Sequence, residues 1–123
     1  MPSNDPVRRF GDIVENCDRI ASYVEGYDLA RFRADPRTVD AVERCLQRIT
    51  EAAVKLQPRA AELLPDQDWD AMRGFGNVLR HDYDRIAEAV IWEIVTGRLP
   101  GLRADCLRAI AKLEAKDGEG LPS

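Results

Sequence analysis

One apolar pattern limits the fold of this chain more than any other feature of its sequence. In the segment 39–56, apolar side chains recur at alternating steps of three and four residues, at Val39, Val42, Leu46, Ile49, Ala53 and Leu56. This spacing lines them up along one side of an α-helix, as a heptad seam does. The seam predicts packing against other helices of the same chain, and a contribution to a dimer interface is the alternative.

Similar helical patterns account for most of the remaining chain. Apolar steps of three and four residues predict helices over 7–24, from about 69 to 83, over 87–95 and over 102–113, with shorter helical pieces at 28–32 and 59–63. Asp5-Pro6 and Asp35-Pro36 each match a helix cap followed by a first turn. No segment alternates apolar and polar residues over the length of a strand. The sequence therefore predicts an all-α fold, an antiparallel bundle of about five helices, with one domain over 1–115 and a flexible polar tail over 116–123.

Composition narrows the class of protein. No apolar run approaches the ~20 residues of a membrane span, and the N-terminus lacks an apolar signal core, so we expect a cytoplasmic protein with no membrane association. Cys17, Cys45 and Cys106 are far apart and sit at apolar-periodic positions, which predicts buried free thiols, with no metal and no cofactor. The net charge of −4 argues against a broadly basic nucleic-acid surface, although a local arginine cluster can still bind RNA.

The segment from Trp69 to Tyr83 holds the residues best suited to chemistry, including the only histidine. On a helix, its apolar side chains share one face: Met72, Phe75, Val78, Leu79 and Tyr83. Its polar side chains share the other: Asp70, Arg73, Asn77, Arg80, His81 and, beyond the segment, Asp84. The alternative interpretation is a solvated surface histidine with salt-bridged arginines.

Two glycines interrupt the interior of this helix. Gly74 and Gly76 each destabilise a helix by up to ~1 kcal/mol relative to alanine. We therefore expect these positions to need either the close approach of another part of the backbone or the space that an absent side chain leaves. One use would be room for a substrate at Gly76.

The sequence Gly76-Asn77-Val78-Leu79-Arg80-His81-Asp82-Tyr83 resembles the motif of the HepT-like branch of the HEPN superfamily. The similarity continues through Asp84-Arg85-Ile86, Val90-Ile91-Trp92 and Leu99-Pro100-Gly101-Leu102, and covers roughly 7–113. The family motif is an arginine, usually followed by asparagine, then after a short gap a histidine, any residue and a tyrosine. Asn77, His81 and Tyr83 match it, whereas Gly76 occupies the position of the arginine.

The resemblance implies a small all-helical homodimer that acts as the toxin of a bacterial toxin–antitoxin pair. Such toxins are metal-independent endoribonucleases whose Arg–His pairs face each other across the dimer cleft. Their partner is a minimal nucleotidyltransferase, encoded next door, which transfers AMP to the motif tyrosine, here Tyr83.

RNA cleavage of this kind needs a proton-transfer group near neutral pKa and a cation that stabilises the transition state. His81 fits the first role. Arg73 or Arg80 fits the second, because position 76 has no guanidinium, and Asn77 completes the predicted catalytic set.

Two alternatives remain open at the level of sequence. The first is a HEPN dimer that lost nuclease activity with its arginine but still binds a nucleotidyltransferase or a nucleotide. The second is a plain helical dimerisation module. The role of Tyr83 also remains open, because its ring suits a core position at the end of the helix as well.

Overall fold

The computed structural model describes residues 5–81 and 86–119, and within these ranges the chain forms seven helices and no strand. The helices are α1 (Pro6–Tyr23), α2 (Leu29–Arg33), α3 (Pro36–Leu56), α4 (Arg59–Leu63), α5 (Trp69–His81), α6 (Glu88–Gly97) and α7 (Leu99–Glu119). Five of them have ten residues or more, and α2 and α4 are the two short pieces expected from sequence. The all-α, HEPN-like prediction is confirmed.

Aspartates begin several of these helices, as the sequence predicted. The side chain of Asp5 accepts a hydrogen bond from the backbone N–H of Val7 in α1, and that of Asp35 accepts one from the N–H of Thr38 in α3. The Asp35 carboxylate also accepts hydrogen bonds from the Tyr27 hydroxyl at 2.6 Å and the Thr38 hydroxyl at 2.7 Å. The hydrogen bond from Tyr27, followed by that from Thr38, lowers the pKa of Asp35 because both stabilise its ionised form.

Helix α3 is the centre of the bundle. It packs against both α1 and α5, while α7 packs against α1 and α6, and α6 also contacts α2. All six residues of the predicted seam are buried, so the seam is an intramolecular packing surface. The three cysteines are buried free thiols, as predicted, and burial raises the pKa of Cys17 and of Cys106 to about 12.

One predicted boundary lies elsewhere, and another falls on residues that the structure does not describe. Helix α7 continues to Glu119, four residues into the segment predicted as a flexible tail. Helix α5 ends at His81, and residues 82–85, which include Tyr83 and Asp84, lie outside the described residues. In the part of the chain that the structure describes, no helix is long and apolar enough to cross a membrane.

The apolar face of α5 is narrower than predicted. Leu79 and Trp69 are buried, whereas Phe75 and Met72 are only partly buried and Val78 is 39% exposed. Helix α3 is the main packing partner of α5, and a single partner covers only a strip of a helix. Val78 therefore lies on the apolar side of α5 without being covered by the bundle.

Gly76 lies at the contact between α5 and α3. A Cβ atom at this position would lie 2.6 Å from Oγ1 and 2.8 Å from Cβ of Thr50. Thr50 is itself buried, and its hydroxyl donates to the carbonyl oxygen of Gln47 at 2.9 Å. Gly76 thus allows close packing of two helices, and the expectation that it leaves room for a substrate was wrong. Gly74, in contrast, faces open space.

Substitution of the two glycines should have opposite effects on stability. Gly76→Ala should lower the free energy of unfolding by about 1–3 kcal/mol, because the new methyl group overpacks the contact with Thr50. Gly74→Ala is the matched control, and should raise it by up to ~1 kcal/mol through helix propensity alone. Urea denaturation of both variants measures the difference. If both variants were stabilised, the close contact between α5 and α3 would be contradicted.

Candidate functional site

The N-terminal end of α5 is fixed by three side chains of the α4–α5 connection and first turn. The indole Nε1 of Trp69 donates to the carbonyl oxygen of Leu64 at 2.9 Å. The Gln67 amide donates to Oδ2 of Asp105 on α7 at 2.6 Å, and Oδ1 of Asp68 accepts the N–H of Ala71 at 2.9 Å, as an N-cap does. Together with the Gly76–Thr50 contact, these bonds determine which face of α5 points to solvent.

That face carries the predicted site residues. Asp70, Arg73, Asn77, Arg80 and His81 are all exposed. The Arg80 guanidinium donates a hydrogen bond from Nη2 to Oδ1 of Asn77. The structure therefore joins two of the four predicted catalytic residues directly.

Arg73 has a different partner. Its Nη2 lies 3.5 Å from Oδ1 of Asp70, three residues earlier in the same helix, and both side chains are largely exposed. An exposed pair of this kind contributes little to stability, and the nearby carboxylate offsets part of the positive charge of the arginine. The Arg80 guanidinium keeps its full positive charge, since an amide is neutral, and it is the stronger candidate for binding an anion.

His81 is the last residue of α5 and is exposed. It follows Asn77 by four residues, so both side chains project from the same side of the helix. Within the described residues, no hydrogen bond engages the imidazole. Such a group is accessible to a substrate and able to exchange protons with it.

A groove beside this face contains residues that sequence reasoning did not assign to the site. Its volume is about 450 Å³, and it is lined by Leu79 and Arg80 of α5 and by Asp40, Glu43, Arg44 and Gln47 of α3. Arg44 and Gln47 lie on α3 outside the apolar seam. Their i,i+3 spacing matches that of Asn77 and Arg80, but nothing in the sequence indicates that α3 and α5 pack side by side.

Metal ligands are not grouped in the described parts of the chain: no cluster of three or more His, Cys, Asp or Glu residues there could hold an ion. On the exposed face of α5, guanidinium, amide and imidazole groups lie on the same helix as the carboxylate of Asp70. These suit the recognition of an anion and the transfer of a proton.

Comparisons with known proteins agree with this chemistry. The family model described as "Ribonuclease HepT-like" matches residues 13–109. One protein of Methanocaldococcus jannaschii, named a "Putative RNase", is 26% identical over 98% of this chain and 100% of its own length. A second from the same organism, with the same description, is 29% identical over 95% of this chain and 97% of its own length. No solved structure matches the chain. The protein belongs to the HepT-like ribonuclease family.

Proposed function

We propose that this protein is the toxin component of a toxin–antitoxin pair and acts in the cytoplasm as a metal-independent endoribonuclease. The observation that carries the proposal is the arrangement on the exposed face of α5, where the Arg80 guanidinium is hydrogen-bonded by Asn77 next to the accessible imidazole of His81. The membership of the HepT-like ribonuclease family supports RNA as the substrate.

The proposed reaction is transesterification within the RNA strand. The 2′-oxygen forms a bond to the adjacent phosphorus, and the bond from phosphorus to the 5′-oxygen breaks, which leaves a 2′,3′-cyclic phosphate and a 5′-hydroxyl. His81 accepts the proton of the 2′-hydroxyl as general base, and a second imidazole returns a proton to the leaving oxygen. Arg80 stabilises the extra negative charge on the phosphate oxygens, and Asn77 holds its guanidinium in position.

The need for a second imidazole supports a homodimer, because each chain has one histidine. Two-fold symmetry would bring two copies of the polar face of α5 together across one cleft. The exposure of Val78 on the same helix favours this arrangement. An apolar side chain beside a polar site is well placed to be covered by the second subunit.

Regulation is the second part of the proposal. A minimal nucleotidyltransferase antitoxin would adenylylate Tyr83, two residues after His81. A nucleotide attached there adds bulk and negative charge close to the place of the RNA phosphate, so it would block binding both sterically and electrostatically.

One observation favours a nuclease-inactive alternative. Gly76, at the arginine position of the family motif, is buried against Thr50, so no guanidinium reaches the site from there. In this alternative the protein is a HEPN dimer that binds a nucleotidyltransferase or a nucleotide.

The first prediction separates these two functions. On one RNA in the presence of a chelator, we expect wild type to cleave and His81→Ala to be slower by roughly 10²-fold or more, the usual contribution of a general base. Arg80→Lys should also be impaired, because lysine keeps the charge but cannot hold two phosphate oxygens at once. Arg73→Lys should lose less activity, since the Asp70 carboxylate already offsets part of the charge of Arg73.

The control is Arg108→Lys on α7, where the arginine is exposed and paired with Asp105. It should cleave at the wild-type rate. Equal rates for wild type and His81→Ala would contradict the nuclease and favour the inactive alternative. Gly76→Arg is a poor rescue variant because its side chain would begin in a clash with Thr50.

The second prediction concerns assembly. Light scattering at micromolar concentration should give about twice the mass of one chain. Val78→Asp should shift the protein towards monomer, because a charge would be buried at the interface. Leu107→Asp, at a similarly exposed apolar residue of α7, is the control and should remain dimeric. A monodisperse wild-type monomer would contradict the dimer.

The third prediction concerns Tyr83. Co-expression with a minimal nucleotidyltransferase and ATP should add AMP groups to the protein and suppress its ribonuclease activity. Tyr83→Phe should gain no mass and keep its activity under the same conditions. Mass spectrometry of the intact proteins is the measurement. Full inhibition of a wild-type protein that carries no AMP would contradict adenylylation and indicate inhibition by binding alone.

A further inference from the structure

Two arginines in the groove between α3 and α5 differ from the other arginines that form hydrogen bonds to side chains. Arg44 Nη1 donates to Oε1 of Gln47 at 3.1 Å, and Arg80 Nη2 donates to Oδ1 of Asn77. Each partner is an amide oxygen on the same helix, three residues after Arg44 in one case and three residues before Arg80 in the other. In the described residues, the arginines that meet carboxylates within salt-bridge distance are Arg9, Arg19, Arg73, Arg103 and Arg108.

The type of partner determines how much positive charge each arginine retains. A carboxylate offsets the charge of the guanidinium beside it, whereas an amide orients the guanidinium and leaves its charge intact. A guanidinium has five N–H donors, so one hydrogen bond to an amide leaves the others available. Arg44 and Arg80 are therefore two oriented cations on the walls of one groove of about 450 Å³.

The Gly76–Thr50 contact explains why the two walls are close. Gly76 faces Thr50, while Leu79 and Arg80 lie beside 40–47 of α3, so the two helices run antiparallel. Without a Cβ atom at position 76, α5 approaches α3 closely at this level. The groove opens one helical turn further along α5.

We propose that this groove binds a backbone phosphate of RNA between Arg44 and Arg80. Arg44, on α3, then supplies the second cation that position 76 does not provide. The proposal rests on the proposed ribonuclease function and adds to it a substrate-binding residue from another helix. Planar guanidinium groups on two sides match the tetrahedral arrangement of phosphate oxygens.

The carboxylates of Asp40 and Glu43 also line the groove and restrict where an anion can bind in it. Asp40 lies one helical turn before Arg44 and is exposed, and Glu43 makes an interaction of its own. The phosphate therefore sits towards the guanidinium groups and away from Asp40. Removal of the Asp40 charge should strengthen binding.

The test is binding of a 2′-O-methyl RNA oligonucleotide, which lacks the attacking hydroxyl and is not cleaved, measured by fluorescence anisotropy at several salt concentrations. Arg44→Gln should weaken binding roughly tenfold, as expected for loss of a charged hydrogen bond, and lower the salt slope by about 0.7. Arg44→Lys should keep the salt slope but bind less tightly than wild type. Asp40→Asn should bind more tightly.

Arg108→Gln is the control for loss of one exposed arginine and should bind as wild type does. Melting curves of all variants check that they fold; Arg44 and Asp40 are exposed, so we expect little change. Wild-type affinity and salt slope in Arg44→Gln would overturn the proposal.

Two further outcomes distinguish this proposal from related ones. If Arg44→Gln binds normally while His81→Ala cannot cleave, the phosphate site is wrong and the ribonuclease function stands. If Arg44→Gln binds weakly while His81→Ala cleaves as wild type does, the phosphate site stands and the proposed mechanism fails. AMP or inorganic phosphate should compete poorly with the oligonucleotide; competition as strong as that of unlabelled RNA would overturn the assignment to the RNA backbone.

Discussion

The contact between Gly76 and Thr50 is the constraint on which the candidate site depends. A glycine in a helix interior costs up to ~1 kcal/mol relative to alanine, and here the close approach of α5 to α3 offsets that cost through better packing. The same approach orients Asn77, Arg80 and His81 outwards and brings Arg80 beside α3. The position that carries an arginine in the family motif thus has a structural use in this chain, and the groove next to it has the cations.

In this protein, the local arrangement of charges is a better guide to nucleic-acid binding than the net charge. With a net charge of −4, the chain has no broad electrostatic attraction for nucleic acid, so binding would depend on a few well-placed cations. Arginines held by carboxylates contribute little to such binding because their charge is already compensated. Arg44 and Arg80 are held by amides instead, so neither guanidinium is paired with a carboxylate among the described residues, although Asp40 and Glu43 also line the groove.

The scaffold and the site use different parts of α5. Trp69 and Leu79 are buried and attach the helix to the bundle, and the cap at Asp68 and the bond from Gln67 to Asp105 fix its beginning. The polar residues lie on the opposite side and contribute little to the core. A surface organised in this way can change its chemistry without loss of the fold.

The sequence alone determined the helices of this protein, their caps, the buried seam of α3 and the burial of the three thiols. These features depend on local spacing and residue type, which a helix converts directly into faces and ends. The sequence also indicated the polar stripe of α5 and the family motif within it. Only the tertiary structure decided that Gly76 is a packing contact, that Val78 is exposed and that Arg44 shares a groove with Arg80. Each of these depends on which helix lies against α5 and how closely, and helical periodicity carries no information about the identity or the distance of a neighbouring helix.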